Sequence, residues 1–236
     1  AFIFTIRASR DHSWGERAVR VLTPQEHNLI EKLLYYQEEF KNPSEAEQQE
    51  IDLAICQELT VLDRMLVQIN QIYLVTVKLI FEYTRRLPGF DNFPNVDQVT
   101  MLKAGCKKMI LLCAARGFNP LNNTVVFFGH VAYDLAAYAM VGLDNRDLFR
   151  FCHKVHRLGV DPTEFALLSA LVVFTDNPAI IMKDQMDGVQ SAYMAALVSH
   201  VYSRRASPGL ELAGLMASRT SEVLWRAARS NSSRTR

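Results

Sequence analysis

The residues best suited to bind a metal ion lie in one short stretch of the chain. Cys152, His153 and His156 place a thiol and two imidazoles close together, and zinc accepts both ligand types. However, no carboxylate and no second pair of ligands follows at a matching spacing. Both histidines also precede Gly159, where an imidazole complements the dipole at the C-terminus of a helix. The pattern therefore predicts a helix end and no metal site.

The chain also lacks the arrangements that catalysis requires. Its densest acidic run is typical of a solvated helix face rather than of a general acid–base pair. This run consists of Glu45, Glu47, Glu50 and Asp52. There is no G-x-S-x-G elbow, no P-loop and no G-x-G-x-x-G motif in the sequence. The four cysteines form no C-x-x-C pair, which indicates a reducing compartment. We therefore predict neither an enzyme nor a bound cofactor.

Composition predicts one soluble domain with a substantial core. Of the 236 residues, 49% are hydrophobic and 22% are charged, and the formal net charge is +1. So small a charge gives no field that would hold DNA. The longest apolar run, 165–174, is shorter than the roughly 20 residues of a membrane span, so we predict no membrane association. Because the first residue is Ala rather than Met, we expect a fragment of a longer chain.

Three helix starts are identified by their caps. Thr23, Ser44 and Asp161 each place a side-chain oxygen three residues before a glutamate, which is the capping-box arrangement. Apolar residues at spacings of three and four predict helices after these caps. The same spacing predicts further helices at about 58–86, 97–116, 132–141, 145–158, 183–204 and 210–228. The helix at 58–86 has two apolar stripes, so we expect neighbouring helices to cover both faces.

These elements predict an all-α domain in stacked layers with one small β element. A β-branched and aromatic run at 124–128 is typical of one arm of a hairpin. Residues 1–21 and 226–236 lack apolar periodicity, and the second stretch carries four arginines among serine, asparagine and threonine. We therefore expect a flexible segment over 1–21, one domain over 22–225, and a basic disordered tail over 226–236.

Two blocks of the sequence carry a resemblance to a known family. The stretch 81–90 ends in Leu-Pro-Gly-Phe and is followed by Asp-Gln, an apolar pair and Lys within 97–104. This resembles the signature of nuclear hormone receptor ligand-binding domains. The stretch 164–174 is similar to a further helix of that family, and 22–45 resembles the first helix of ecdysone receptors. Oxysterol and bile-acid receptors are the next nearest relatives by this comparison.

The resemblance implies a fold and a ligand site. The fold would be a three-layer antiparallel helical sandwich whose incomplete central layer leaves an apolar cavity for a steroid-sized molecule. Matched to the family pattern, the cavity should be lined by Ile69, Ile72, Tyr73, Thr76, Ile110, Cys113, Ala114, Phe127, Phe128 and Tyr138. Thr76 and Tyr138 carry hydroxyls where ecdysone receptors use hydroxyls to bind the steroid. For each apolar residue, ordinary core packing is the alternative.

Four departures from the ecdysone receptor pattern affect the expected ligand. Cys113 stands where those receptors place a ligand-binding Arg, and Gly117 replaces another polar partner. Lys41 replaces an expected acidic residue, and Tyr73 is bulkier than the usual Thr. Each hydrogen bond lost to a buried ligand hydroxyl would cost on the order of 1–3 kcal/mol. The ligand is therefore expected to be an ecdysteroid or a less hydroxylated sterol, and a ligand-free domain is the alternative.

The resemblance also implies a groove for coactivator or corepressor peptides. Its residues would be Phe81, Arg85, Gln98, Val99, Leu102 and Lys103. In such receptors a glutamate of the final helix holds the other end of the peptide. Residues 226–236 contain no amphipathic segment of that type, so we expect the final activation helix to be absent. Such a form would be impaired in ligand-dependent activation and would act as a silent or repressing partner.

A last set of expectations concerns partners. The segment 185–202 has an amphipathic stripe of Val189, Tyr193, Leu197 and Val201, typical of a dimerisation helix. The resemblance implies a heterodimer with a retinoid X receptor or ultraspiracle-type partner, while a homodimer or burial of the stripe inside the domain stays open. DNA would be contacted only through another domain, and the protein would be found in the nucleus. The alternative function is a ligand-free dimerisation scaffold in which Tyr73 and Phe128 fill the cavity.

Overall fold

The computed structural model describes residues 21–56, 60–128, 131–204 and 213–214. Its helices are α1 (Pro24–Glu39), α2 (Glu45–Cys56), α3 (Val61–Arg86), α4 (Asn95–Arg116), α5 (Leu135–Met140), α6 (Arg146–Arg157), α7 (Pro162–Val173) and α8 (Lys183–Arg204). Three strands, β1 (Phe118–Asn119), β2 (Thr124–Phe127) and β3 (Val131–Asp134), lie between α4 and α5. A short 3-10 turn at Phe90–Asn92 connects α3 to α4.

The three predicted capping boxes are confirmed. The Thr23 hydroxyl accepts the amide of Glu26 at 3.2 Å, and the Glu26 carboxylate accepts the amide of Thr23 at 2.8 Å. Ser44 caps α2 in the same reciprocal way. At the start of α7 the Asp161 carboxylate accepts the amide of Glu164 at 2.7 Å. These local bonds satisfy amides that a helix start would otherwise leave without partners, which is why the sequence alone locates them.

Helices α4 and α7 form the centre of the fold. Every side chain of α7 from 164 to 173 is buried, and α7 contacts α1, α4 and α8. Helix α4 contacts α3, α6 and α7. Gly105 allows α4 to lie close to α7, because a Cβ at this position would come within 3.2 Å of the Cα of Val173. The predicted helical sandwich with a small β element is therefore confirmed.

Helix α3 is less completely covered by its neighbours than its two apolar stripes predict. Its buried side chains include Ile72, Ile80 and Tyr83, which face the core. The first predicted stripe runs through Leu62, Leu66, Ile69, Tyr73 and Thr76, and the second through Val67, Leu74, Val77 and Phe81. In the second stripe, Leu74 and Phe81 remain 59% and 37% exposed. Leu62, Leu66 and Tyr73 of the first stripe are exposed as well, so within the described part of the chain neither apolar face is fully covered. Helix α3 is also long and apolar enough to cross a membrane, but core helices pass the same test, and we assign it no membrane role.

The β element is larger than the sequence predicts. Strands β2 and β3 pair antiparallel from Thr124 opposite Asp134 to Phe127 opposite Val131, and β1 pairs with the other edge of β2. The predicted helix at 132–141 is therefore wrong in its first residues. Tyr133 is buried while its neighbours are not, which is the alternation of a strand. Asp134 then caps α5 by accepting the amide of Ala137 at 2.7 Å.

Several predictions fall wholly or mostly on residues that the structure does not describe. Residues 1–20 and 215–236 contain almost all of the two predicted terminal segments and most of the predicted helix at 210–228. Within that helix the described residues, 213–214, are helical. The expected absence of an activation helix also lies outside the described residues. The helix predicted at 58–86 is confirmed and begins at Val61. The Thr60 hydroxyl caps it by accepting the amide of Asp63.

An ion pair joins α2 to α3 and should make stability depend on pH. The hydrogen bond from the Lys78 ammonium, together with those from the Ser44 amide and hydroxyl, lowers the pKa of Glu47 from 4.5 to about 2. A carboxyl group whose pKa is lowered by folding stabilises the protein above its ordinary pKa. That contribution is lost as the pH falls through the folded pKa. The window for this effect is therefore between about pH 4.5 and 2.

We expect Glu47→Gln to lessen the fall in melting temperature as the pH is lowered from 5 to about 3. The measurement is thermal melting followed by circular dichroism across this range. Glu39→Gln, which removes an exposed carboxylate at the end of α1, is the control and should keep the wild-type pH dependence. Identical pH profiles for wild type and Glu47→Gln would show that the pair contributes nothing to stability.

Candidate ligand cavity and coregulator surface

A cavity of about 810 Å³ lies between the end of α1, the helices α3 and α4, strand β2, and the residues around the start of α7. Its inner wall is largely apolar and includes Leu79, Ile80, Met109, Phe127 and Phe128. Volumes of roughly 300–1,000 Å³ are usual for sites that bind drug-sized ligands. The cavity is therefore large enough for a lipophilic molecule with a few polar groups.

The structure places four of the predicted pocket residues on the cavity wall, namely Thr76, Cys113, Phe127 and Phe128. The others do not line this cavity. Ile72 and Ala114 are buried in the core, and Ile69 and Ile110 are half-buried against it. Tyr73 is 51% exposed, which places it outside both the core and the cavity. The role of these residues in ligand binding stays a prediction.

Tyr138 is buried but packs elsewhere. Its ring centroid lies 5.6 Å from that of Tyr133 and 6.2 Å from that of Phe149. Burial raises the pKa of Tyr138, so its hydroxyl stays protonated at physiological pH. Tyr133 in turn donates to the side chain of Gln68 on α3, and burial raises its pKa to about 12. This aromatic group fixes the β-sheet to α3 and α6, while the cavity lies beside it.

Sequence reasoning missed the part of α3 that does line the cavity. Leu79, Ile80 and Tyr83 follow Thr76 at spacings of three, four and seven, so they lie on the same helix face. That spacing could have identified them, because the cavity begins about two turns later along α3 than expected. The Thr76 hydroxyl donates to the carbonyl of Ile72 at 2.6 Å, whereas the Tyr83 hydroxyl lies 3.5 Å from the carbonyl of Ala166. The Tyr83 hydroxyl thus donates at the outer limit of hydrogen-bond length and keeps its capacity to accept.

Cys113 and Gly117 stand where ecdysone receptors carry polar ligand-binding residues, and the two positions differ in their surroundings. Cys113 lies on the cavity wall, and burial raises the pKa of its thiol, which keeps it uncharged. Gly117 follows the end of α4 and contacts β2 directly. Its carbonyl accepts the amide of Val126 at 2.8 Å, and a Cβ at Gly117 would lie only 2.1 Å from the Val126 carbonyl oxygen. No side chain fits at Gly117, so this wall is closed by backbone.

Polar groups at one end of the cavity form a cluster between α7 and α8. The His200 ring and the Arg204 guanidinium each lie 2.8 Å from one Asp161 oxygen, and Arg204 also lies 3.9 Å from Glu164. Burial by itself would raise the pKa of Asp161, but the hydrogen bonds from His200 and Glu164 outweigh it and lower that pKa. The carboxylates and the imidazole are close enough to hold a metal, yet Arg204 already supplies a cation there. We therefore interpret this cluster as a set of ion pairs that stabilises the packing of α8 on α7, and not as a metal site.

The two histidines considered as metal ligands also have other partners. His153 Nε2 lies 2.9 Å from the side-chain oxygen of Asn123, and its ring packs 4.7 Å from that of Phe118. The His156 ring lies 6.3 Å from the same phenylalanine. Cys152 is fully buried in the core, and burial raises the pKa of its thiol to about 12. These three residues attach α6 to β1 and the core.

The predicted coregulator groove lies where α3 meets α4. Phe81 and Val99 expose 37% and 46% of their surface, which leaves an apolar strip accessible to a partner. Arg85 and Lys103 are exposed on the same two helices, and Leu102 is half-buried. Gln98 is held in place, because its amide donates to the carbonyl of Phe93 at 2.9 Å. The surface therefore combines apolar contacts with two cations.

The stripe proposed for dimerisation lies inside the domain. Tyr193, Leu197 and Val201 are at most 1% exposed, and Val189 is half-buried against Gly89. The Tyr193 hydroxyl donates to the carbonyl of Pro88 at 2.9 Å, and its ring stacks on Phe174. Of the alternatives that the sequence left open, burial within the domain is the one observed. This face of α8 is not available to a partner subunit.

Comparisons with known proteins agree with this architecture. A family model described as the ligand-binding domain of nuclear hormone receptor matches residues 55–218. The ecdysone receptors of Lucilia cuprina and Drosophila melanogaster are each 31% identical over 198 residues, covering 82% and 83% of this chain and 26% and 23% of those receptors. The ecdysone receptor of Chironomus tentans is 31% identical over 186 residues, or 78% of this chain and 35% of the receptor.

The chain thus spans between about a quarter and a third of the curated relatives that it matches. The matched region includes α3, α4, the β-sheet, α6, α7 and α8, which surround the cavity together with the end of α1. Proteins of this family are ligand-regulated transcription factors and not enzymes. The chain belongs to the nuclear hormone receptor ligand-binding domain family and is related to ecdysone receptors.

Proposed function

We propose that this chain binds a sterol-sized lipophilic ligand in the cavity beside α3 and α4, and that the ligand regulates transcription by a nuclear receptor. The observation that carries the proposal is the 810 Å³ cavity with its apolar inner wall. Such a wall favours a hydrophobic molecule, and a few polar groups at its rim would orient it. Relationship to ecdysone receptors supports a sterol as the ligand and the nucleus as the location.

The cavity favours a sterol with fewer hydroxyls than a typical ecdysteroid. Cys113 and Gly117 cannot replace charged or strongly polar partners, because one is a neutral thiol and the other has no side chain. A ligand hydroxyl buried there without a partner would cost about 1–3 kcal/mol. Tyr83 and Thr76 remain as hydroxyl groups on the wall. Two hydroxyls suit a ligand with one or two polar groups on this side.

The alternative function, a ligand-free scaffold, required Tyr73 and Phe128 to fill the cavity. Phe128 lies on the cavity wall, but Tyr73 is exposed and lies outside it. The cavity volume of about 810 Å³ is what remains with both side chains in place. Ligand binding is therefore the function that the geometry supports better.

Thermal melting with added sterol tests the proposal. We expect ecdysone or cholesterol at 100 times its dissociation constant to stabilise the chain by about 2.7 kcal/mol, which raises the melting temperature by several degrees. Leu79→Trp should abolish this shift by filling the cavity. Leu74→Trp makes the same exchange at an exposed position on α3 and should leave the shift intact. No shift with either sterol in the wild type would overturn the proposal.

For partners, we propose a heterodimer with a retinoid X receptor or ultraspiracle-type domain, through a surface other than the buried stripe of α8. Relationship to ecdysone receptors supports this partner.

We further propose that amphipathic coactivator or corepressor helices bind across Phe81 and Val99, with Arg85 and Lys103 near their ends. DNA contact would belong to another domain of the full receptor. Impaired activation stays a prediction, which tight, ligand-dependent binding of a coactivator peptide would contradict.

A further inference from the structure

One buried acceptor on the cavity wall has no donor. The side-chain oxygen of Gln37, on α1, is buried and has no hydrogen-bond partner among the described residues, and Gln37 lines the cavity. The two carboxylates on the wall, Glu38 and Asp161, already pair with cations. A buried oxygen without a donor costs free energy, so such a group beside a cavity indicates a ligand or solvent that supplies the donor.

Two hydroxyl groups on the same wall also lack good partners. Ser169 is 2% exposed, and within the described part of the chain its hydroxyl makes no hydrogen bond. The side chain of Tyr83 is 5% exposed, and its hydroxyl reaches the carbonyl of Ala166 only at 3.5 Å. Burial raises the pKa of Tyr83, so its phenol stays protonated and able to donate. Both hydroxyls are therefore available to a ligand.

The elements that carry these three groups pack on one another. Helix α1 contacts both α3 and α7. Gln37 follows the fully buried Leu33 by four residues, so it lies on the inner face of α1. Ser169 follows Ala166 by three residues on α7, which places it about one turn beyond the carbonyl that Tyr83 reaches. One acceptor and two hydroxyls thus line the cavity where α1, α3 and α7 meet.

We propose that Gln37, Tyr83 and Ser169 form a polar subsite that selects a ligand carrying an alcohol over one carrying a ketone. This inference rests on the proposed function and specifies the polar group of its ligand. An alcohol can donate to the Gln37 oxygen while its own oxygen accepts from Ser169 or Tyr83. A ketone also accepts from these hydroxyls, but it has no proton to donate to Gln37. The apolar part of the ligand would contact Leu79 and Met109.

The preference follows from the cost of an unpaired acceptor. Solvent that enters the cavity can donate to the Gln37 oxygen. An alcohol that displaces this solvent supplies a donor in its place, whereas a ketone leaves the oxygen unpaired. A site built to bond a hydroxyl therefore rejects the analogue that lacks it more strongly than a purely apolar site would.

The test compares two sterols that differ only at this group. Cholestanol carries an alcohol on the ring carbon where cholestanone carries a ketone, and competition against tritium-labelled cholestanol gives both dissociation constants. We expect the wild type to bind cholestanol about tenfold more tightly. Gln37→Met, which replaces the amide by an apolar group of similar length, should abolish this preference by weakening cholestanol alone. Tyr83→Phe should weaken both sterols, because both accept from that hydroxyl, and should keep the preference.

Gln48→Met is the matched control. The side-chain oxygen of Gln48 is also buried without a partner, but this residue lies on α2 and does not line the cavity. The same exchange there should leave both dissociation constants unchanged.

Thermal melting without ligand gives a second readout. Because Gln37→Met removes an unpaired buried oxygen, it should not lower the melting temperature. A fall of several degrees would show that this oxygen has a partner within the protein, and would overturn the subsite.

The outcomes separate the subsite from the ligand-binding function. Equal affinity of the wild type for the two sterols, or a preference that survives in Gln37→Met, overturns the subsite alone, since both sterols would still bind. Stabilisation by ecdysone together with no binding of cholestanol does the same. If neither cholestanol nor cholestanone binds, and ecdysone and cholesterol fail to stabilise the chain, the proposed function falls and the subsite with it.

Discussion

Gly117→Ala should destabilise the domain by roughly 2–3 kcal/mol, although it adds a single methyl group. The new Cβ would lie 2.1 Å from the carbonyl oxygen of Val126, and neither atom can rotate away, because the Cβ position is fixed by the backbone and the oxygen is part of it. The amide of Val126 is bound to the Gly117 carbonyl at 2.8 Å, and Val126 also pairs with Ala132 of β3. Relief of the clash would therefore separate β2 from the end of α4.

Urea unfolding followed by circular dichroism measures this loss. Gly188→Ala is the matched control, because a Cβ at Gly188 meets no atom within 4 Å and the residue lies inside α8. Alanine there should stabilise the protein by about 0.5–1 kcal/mol through its higher helix propensity. A Gly117→Ala protein as stable as the wild type would mean that β2 and α4 do not approach as closely as described.

Tyr193→Ala should cost roughly 3–5 kcal/mol, the largest effect that we expect from a single change. The side chain is 1% exposed, its ring stacks at 5.3 Å on Phe174, and its hydroxyl bonds the carbonyl of Pro88 at 2.9 Å. Truncation would leave a cavity where α8 meets the segment after α3. Tyr193→Phe removes only the hydroxyl and should cost about 1 kcal/mol.

The experiment separates a core residue from a dimer contact. Unfolding should be measured at a protein concentration where analytical ultracentrifugation finds a monomer. A core role predicts that the monomer itself loses stability, whereas a dimer contact would leave the monomer intact and weaken association only. Tyr73→Ala removes the same side chain from an exposed site on α3, and should change stability by no more than about 0.5 kcal/mol.

The sequence predicts best those features that depend on neighbouring residues. The cap of α1 needs only Thr23 and Glu26, three positions apart, and it forms as predicted. Asp97 shows the opposite case. Its buried carboxylate accepts the amides of Ile181 and Met182 at 2.9 and 3.0 Å, across more than eighty residues of chain. Family resemblance identified Asp97 as part of a signature, but no local pattern could supply its partners.

The resemblance predicted an apolar cavity beside α3, and the cavity observed there lies further along that helix than predicted. The family resemblance indicated which face of α3 turns inward, and it included Thr76, which lies on the cavity wall. How far along α3 the cavity lies depends on where the end of α1 and strand β2 pack, which is a property of the tertiary structure. Leu79, Ile80 and Tyr83 were therefore missed, and Tyr73, which was predicted to line the cavity, is exposed. The strand at Val131–Asp134 was missed because its alternation covers only four residues.

The two bonds to Asp97 have a consequence for how motion passes through the domain. Asp97 precedes Gln98 and Val99 of the proposed coregulator surface on α4, and it holds the backbone at Ile181 and Met182, next to the start of α8. The segment between α7 and α8 is therefore hydrogen-bonded to α4. We therefore expect that a displacement of the first turn of α8 would also move the start of α4, where Gln98 and Val99 lie.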